Sequence, residues 1–107
     1  MEVSTMEIPI YLGYLEIVIS DNLSKAAKKY KITKDVGCYG AFCHRIKGDR
    51  GSEKYIIFVQ PDVSTGLLIH ELIHIKNYVF KDCGVKVKGN DEHEAYFVMF
   101  LFEEIEK

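Results

Sequence analysis

The chain is predicted to form an α+β domain in which a small antiparallel or mixed β-sheet precedes two packed C-terminal helices. Three short runs rich in aliphatic and aromatic residues come first, separated by turn residues. Two longer stretches with helix-capping residues follow, and no proline interrupts them. Strands followed by helices are typical of α+β layers. With 107 residues, the chain is expected to be one domain, because a second would bury almost no core.

Three segments are predicted to be strands. Ile8–Ile19 is expected to form one long strand or a hairpin broken near Gly13. Gly37–Ile46 alternates side chains between two faces, with Cys43 on one and His44 on the other. The clearest strand is Lys54–Gln60, because its residues favour extended structure and a proline follows directly.

Three helices are predicted from capping residues and apolar periodicity. The first is short, with Ser20 or Asp21 as its cap, and ends near Tyr30. The second is capped by Asp62 or Ser64 and ends near Asp82, before Gly84. The third starts after Asn90 or Asp91 and ends near Glu106.

Composition excludes several classes of protein. The net charge is −2, whereas binding to nucleic acid or an acidic membrane favours a basic excess. The longest apolar run, Ala95–Phe102, is too short to cross a bilayer. The three cysteines have no disulfide-framework spacing, and the first residues do not resemble a signal peptide. We therefore expect a cytoplasmic protein with neither nucleic acid nor membrane as a partner.

The first C-terminal helix contains the motif His70-Glu71-Leu72-Ile73-His74. Residues four apart share a helix face, so both imidazoles can bind one metal ion. Catalytic zinc sites use three protein ligands and a water whose pKa the metal lowers. Glu71, one residue after the first ligand, is placed to act as the general base on that water.

The residues around this motif are apolar, which led us to expect the two histidines to be the only buried polar side chains of the helix. Buried imidazoles without partners are costly, so a metal would explain them. The alternative is a pair of core histidines satisfied by backbone or carboxylate groups.

The third metal ligand is expected at the start of the second C-terminal helix. Glu92, His93 and Glu94 all compete for this role. Glu94 has a structural alternative, because with Asp91 as the N-cap it would complete a capping box. A first-turn acid such as Glu92 also suits the helix dipole.

The motif and its spacing resemble the gluzincin group of zincins. Seventeen residues separate His74 from Glu92-x-x-Ala95-Tyr96, which is similar to the gluzincin helix that supplies a glutamate ligand. The C-terminal forty or so residues resemble small phage-encoded metallopeptidases, and the rest does so in outline. The resemblance implies a minimal zincin-like fold, a zinc cofactor held by His70, His74 and Glu92, and a peptide or protein substrate.

One position departs from the gluzincin pattern. Tyr96 stands where many gluzincins have an aspartate that orients a ligand histidine, so that orientation must come from another group. Tyr96 lies one turn after Glu92 and is the first candidate for stabilising the oxyanion, with Tyr78 and His44 as alternatives. The resemblance also implies an edge strand beside the metal helix that pairs with substrate, for which Gly37–Ile46 and Lys54–Gln60 are candidates.

A non-catalytic role is the competing hypothesis. Zinc would then hold two helices together in a structural or interaction protein, such as a virion or assembly component. Ala95–Phe102 is apolar on all sides of its helix, which favours homo-oligomerisation or docking in a larger assembly. The two hypotheses predict different metal sites, because structural zinc closes all four positions with protein ligands.

Overall fold

A computed structural model gives a four-stranded mixed sheet and three helices, so the predicted α+β class is confirmed. The structure describes residues 1–8, 13–32, 40–46, 53–84 and 91–106, without the side chains of 91–93. In chain order the elements are β1 (Glu2–Glu7), β2 (Tyr14–Ile19), α1 (Leu23–Lys29), β3 (Ala41–Ile46), β4 (Lys54–Val59), α2 (Thr65–Cys83) and α3 (Asp91–Glu106).

The sheet has the strand order β1-β2-β4-β3. β2 and β4 are parallel, and the two outer pairs are antiparallel. Ile57 of β4 stands opposite Ile17 of β2 on one side and Cys43 of β3 on the other. Among the described strands, β3 and β1 therefore occupy the two edges, and β4 is internal.

Alternating side chains give the sheet two buried faces, each covered by helices. One face packs against α2 and α3 through a core that includes Ile17, Tyr55, Ile57, Leu72, Ile75, Phe97 and Leu101. The other face packs against α1 through Val18, Leu23, Ala26, Ala27, Phe42, Ile56 and Phe58. The described elements thus form three layers, with the sheet between α1 and the α2–α3 pair.

A buried carboxylate anchors the α1 layer. Glu16, on β2, accepts hydrogen bonds from Thr5 and Tyr30 and forms an ion pair with Lys54 at 3.1 Å. Burial alone would raise the pKa of Glu16, but its bonds to Tyr30 and Lys54 bring it below the ordinary 4.5. Burial and the same carboxylate raise the pKa of Tyr30 to about 12. These contacts hold the end of α1 against β2 and β4.

The N-terminal predictions needed two corrections. The chain does break at Gly13, where φ is 93° and a Cβ atom would lie 2.9 Å from the Glu53 carbonyl oxygen, but strand β1 lies before residue 8 and was missed. The cap of α1 is Asn22, not Ser20 or Asp21, because its side chain accepts from the Lys25 amide.

The C-terminal helices match their predicted bounds. The Ser64 side chain caps α2 by accepting from the Leu67 amide, and Gly84 ends it in the left-handed conformation with φ of 71°. The third helix begins at Asp91. In the part of the chain that the structure describes, no helix combines the length and apolarity needed to cross a membrane.

Candidate metal centre

Helix α2 brings the two motif histidines together. Their Nε2 atoms are 3.2 Å apart and the ring centroids are 4.9 Å apart. Zinc binds imidazole nitrogen at about 2.0–2.1 Å, so two ligands at the tetrahedral angle lie roughly 3.3 Å apart. The separation suits two ligands of one ion; without metal it also suits a hydrogen bond between the rings.

Glu71 completes a three-residue cluster with His70 and His74. One possible ligand atom from each side chain lies within 4.8 Å of the others. The Glu71 Oε2 atom is 3.8 Å from Nε2 of His70, close enough for its charge to favour a cation at the imidazole pair. Within the described residues, this is the group of histidine, cysteine and acidic side chains that is arranged to hold a metal.

The burial of this cluster is the reverse of what the sequence led us to expect. His70 and His74 are exposed, and the His70 side chain retains 64% of its accessible surface. Glu71 is the buried member, with a side chain that is 8% exposed. The prediction of buried histidines was therefore wrong, and the alternative of two core histidines fails for the same reason. The two imidazole side chains are thus open to solvent, whereas the neighbouring carboxylate is buried.

The cluster lies beside edge strand β3, because α2 packs along that strand. Near the start of α2, Leu67 packs against Gly40, where an added Cβ atom would lie 3.1 Å from the Leu67 Cδ2 atom. Near its end, Asp82 accepts from Arg45 at 2.9 Å and from the Tyr55 hydroxyl at 2.7 Å. The motif lies between these two attachment points, which fix its position relative to the sheet.

The strand order decides between the two strands considered for substrate pairing. β4 contains Lys54–Val59 and is paired on both sides, by β2 and β3. β3 has β4 as its one neighbour among the described strands. Of the two candidates, the β3 segment is therefore the one with an outer edge that can pair with an extended peptide.

The alternative oxyanion candidates lie in different places. Tyr78 is on the motif side of the sheet, with Arg45 5.2 Å above its ring centroid. Burial, followed by the neighbouring Cys43 thiol, raises the pKa of Tyr78, and the Glu71 carboxylate acts in the same direction. His44 alternates with Cys43 on β3, and its side of the strand is that of Phe42, which packs with α1. Tyr78 thus lies on the helix that carries the motif, whereas His44 lies on the α1 side of β3.

The residues proposed on α3 are only partly described. The side chains of Glu92 and His93 lie outside the described residues, so the choice of Glu92 as third ligand stays a prediction. Glu94 forms an ion pair with Lys76 at 2.5 Å, and the capping box considered as its alternative role involves Asp91, whose side chain lies outside the described residues. Tyr96 is 62% exposed, and its proposed role at the oxyanion also stays a prediction.

Three residues that position the motif were not recognised in the sequence: Arg45, Tyr55 and Asp82. They come from β3, β4 and the last turn of α2, and they meet only through tertiary packing. No local pattern marks such a contact, because no two of the three lie within a helical turn of each other in sequence.

In comparisons with known proteins, no protein-family model, no curated protein and no solved structure matches the chain.

Proposed function

We propose that the protein is a zinc-dependent metallopeptidase that hydrolyses peptide bonds, with His70 and His74 as metal ligands and Glu71 as general base. The observation that carries the proposal is a pair of exposed histidines, with their Nε2 atoms 3.2 Å apart, beside a buried carboxylate. The HExxH spacing and its resemblance to gluzincins support the same conclusion. Glu92 is proposed as the third ligand on that resemblance.

Each residue has a distinct part in the proposed reaction. A zinc ion held by His70 and His74 would act as a Lewis acid that lowers the pKa of a water bound there. Glu71 would take a proton from the water as its oxygen attacks the peptide carbonyl, and would deliver that proton to the amine as the C–N bond breaks. The Glu71 side chain is buried, with 8% of its surface exposed, so the fold restricts where the carboxylate can lie. The outer edge of β3 holds the substrate extended beside the motif through backbone hydrogen bonds.

The substitution Glu71→Gln tests this mechanism. Glutamine keeps the size of the side chain but cannot accept the proton, so we expect hydrolysis to fall by about 10²–10⁴-fold. Zinc content should stay at the level of the parent, because the imidazoles are unchanged. The assay is a peptide-library digestion read by mass spectrometry, with zinc measured on the same preparations. Activity that survives the substitution would eliminate the mechanism.

A second candidate function is a non-catalytic zinc site, and one observation favours it. Glu71 lies within ligand range of both histidines, so it can itself become a ligand that helps to close the site. In that case Glu71→Gln weakens zinc binding, and the parent hydrolyses no peptide. The same two measurements therefore separate the two functions.

A further inference from the structure

A polar cavity lies along edge strand β3, beside the proposed metal ligands, and none of those ligands lines it. Its volume is about 480 Å³, within the range of pockets that bind small ligands or single side chains. The lining combines the two residues Lys31 and Ile32, which follow α1, with residues of β3 and one residue of α2. The charged and polar residues that matter here are Lys31, His44, Arg45 and Tyr78.

Among the described residues that line the cavity the charged ones are both basic, in a chain whose net charge is −2. Lys31 and Arg45 bring positive charge, and His44 and Tyr78 add ring N–H and hydroxyl groups. None of the described residues that line the cavity is acidic. Asp82 contacts Arg45 through Nη1 at 2.9 Å and reduces the local charge. A guanidinium has five N–H donors, so this contact does not exhaust its capacity for a second carboxylate.

The distance to the motif can be estimated from α2. Tyr78 lies four residues after His74, which corresponds to about 6 Å along the helix axis. It lies seven residues after Glu71, which corresponds to about 10 Å. An extended peptide advances about 3.4 Å per residue. A peptide on the outer edge of β3 therefore places a side chain in the cavity roughly two to three residues from the bond next to Glu71.

We propose that this cavity selects substrates by binding an acidic side chain, two to three residues from the cleaved bond. The inference deepens the proposed peptidase function and rests on it. The acidic side chain is inferred from charge complementarity, because its carboxylate can pair with Lys31 and with the N–H donors of Arg45 that Asp82 does not use. The backbone of the same peptide pairs with β3, so affinity comes from the strand and selectivity from the cavity.

The test compares peptides that differ only in glutamate against glutamine, placed at successive positions of one cleavable sequence. We expect kcat/KM to favour glutamate by about threefold to fivefold at one position two or three residues from the cleaved bond, the gain of a partly exposed ion pair. The preference should shrink as ionic strength rises. Lys31→Glu should remove or invert it. Lys25→Glu is the matched control, since it makes the same charge change at an exposed lysine of α1 away from the cavity.

A binding measurement separates this inference from the proposed function. Fluorescently labelled glutamate and glutamine peptides are titrated into the Glu71→Gln variant, with and without Lys31→Glu, and anisotropy is followed. Tighter binding of the glutamate peptide that depends on Lys31 supports the cavity assignment, even if the parent protein cleaves no peptide. The absence of cleavage would overturn only the proposed peptidase function. Cleavage with equal use of both peptides overturns the cavity assignment alone. If oligo-dT displaces the glutamate peptide and this displacement depends on Lys31, the cavity binds nucleic acid, and its assignment to an acidic side chain is overturned.

Discussion

Two buried carboxylates, Glu16 and Glu71, have nearly equal burial but very different surroundings. They are 7% and 6% exposed, respectively. Glu16 accepts hydrogen bonds from Thr5 and Tyr30 and pairs with Lys54. Among the described residues, the ionic contact of Glu71 is with His70, at 3.8 Å, which is beyond hydrogen-bond distance.

The difference separates a structural charge from a functional one. Burying a carboxylate is costly unless hydrogen bonds and opposite charges compensate for the lost hydration. For Glu16 the fold supplies that compensation from β1, α1 and β4. For Glu71 the printed charge partner among the described residues is the exposed imidazole of His70, which together with His74 can attract a cation from solvent. The comparison predicts that Glu16 contributes to folding and Glu71 to chemistry.

The largest stability effect is expected from Glu16→Gln. The amide keeps the shape of the side chain but loses the charge that strengthens its bonds to Tyr30 and Lys54, so the free energy of unfolding should fall by about 1–3 kcal/mol. Urea denaturation at pH 7, followed by circular dichroism, measures this. An unchanged free energy of unfolding would mean that the Glu16 contacts do not stabilise the fold.

The same cluster predicts how stability depends on pH. Because the folded-state pKa of Glu16 lies below its ordinary 4.5, its contribution is complete above that value and is lost as the pH falls through the folded-state pKa. The parent should therefore lose more stability below pH 4.5 than Glu16→Gln does. Parallel curves for the two proteins in acid would show that Glu16 is not the residue responsible.

The smallest effect is expected from Glu71→Gln in metal-free protein. The substitution removes a buried charge, and the imidazole 3.8 Å away does not supply a hydrogen bond that would be lost. The free energy of unfolding should change by less than about 0.5 kcal/mol or increase slightly. Chelator-treated samples of both proteins are compared by urea denaturation. A loss as large as that expected for Glu16→Gln would erase the distinction between the two carboxylates.

Sequence reasoning located elements that carry strong local signals. Ser64 and Gly84 marked the ends of α2 because a side-chain cap and a left-handed glycine are local features. It missed β1, whose side chains are mostly polar and exposed, so no apolar alternation revealed it. The cap of α1 was misplaced because Ser20 bonds to the backbone of Asn22 instead of capping the helix.

The identity of the candidate site followed from sequence, but its burial did not. Spacing alone placed His70 and His74 on one helix face. The apolar residues around them were assigned to a single core face, whereas they divide between two. Leu72 and Ile75 are buried in the core, and Ile73 is 43% exposed beside a groove shared with α3. The histidines occupy the remaining face, which opens to solvent.

The surroundings of the site depend on tertiary structure and could not be read locally. The order of the four strands made β3 an edge, and the contact of Asp82 with Arg45 fixed α2 beside it. Both arise from pairings between residues distant in sequence. The polar cavity along β3 has the same origin, because Lys31 and Arg45 come together only in the folded chain.

The central claim, that His70 and His74 bind one metal ion, is tested most directly by titrating zinc into chelator-treated parent and His74→Ala in a calorimeter. We expect one zinc bound per parent chain and much weaker binding by the variant, because His74→Ala removes one of the two imidazole ligands. Equal zinc binding by the two proteins, or no zinc bound by the folded parent, would contradict it.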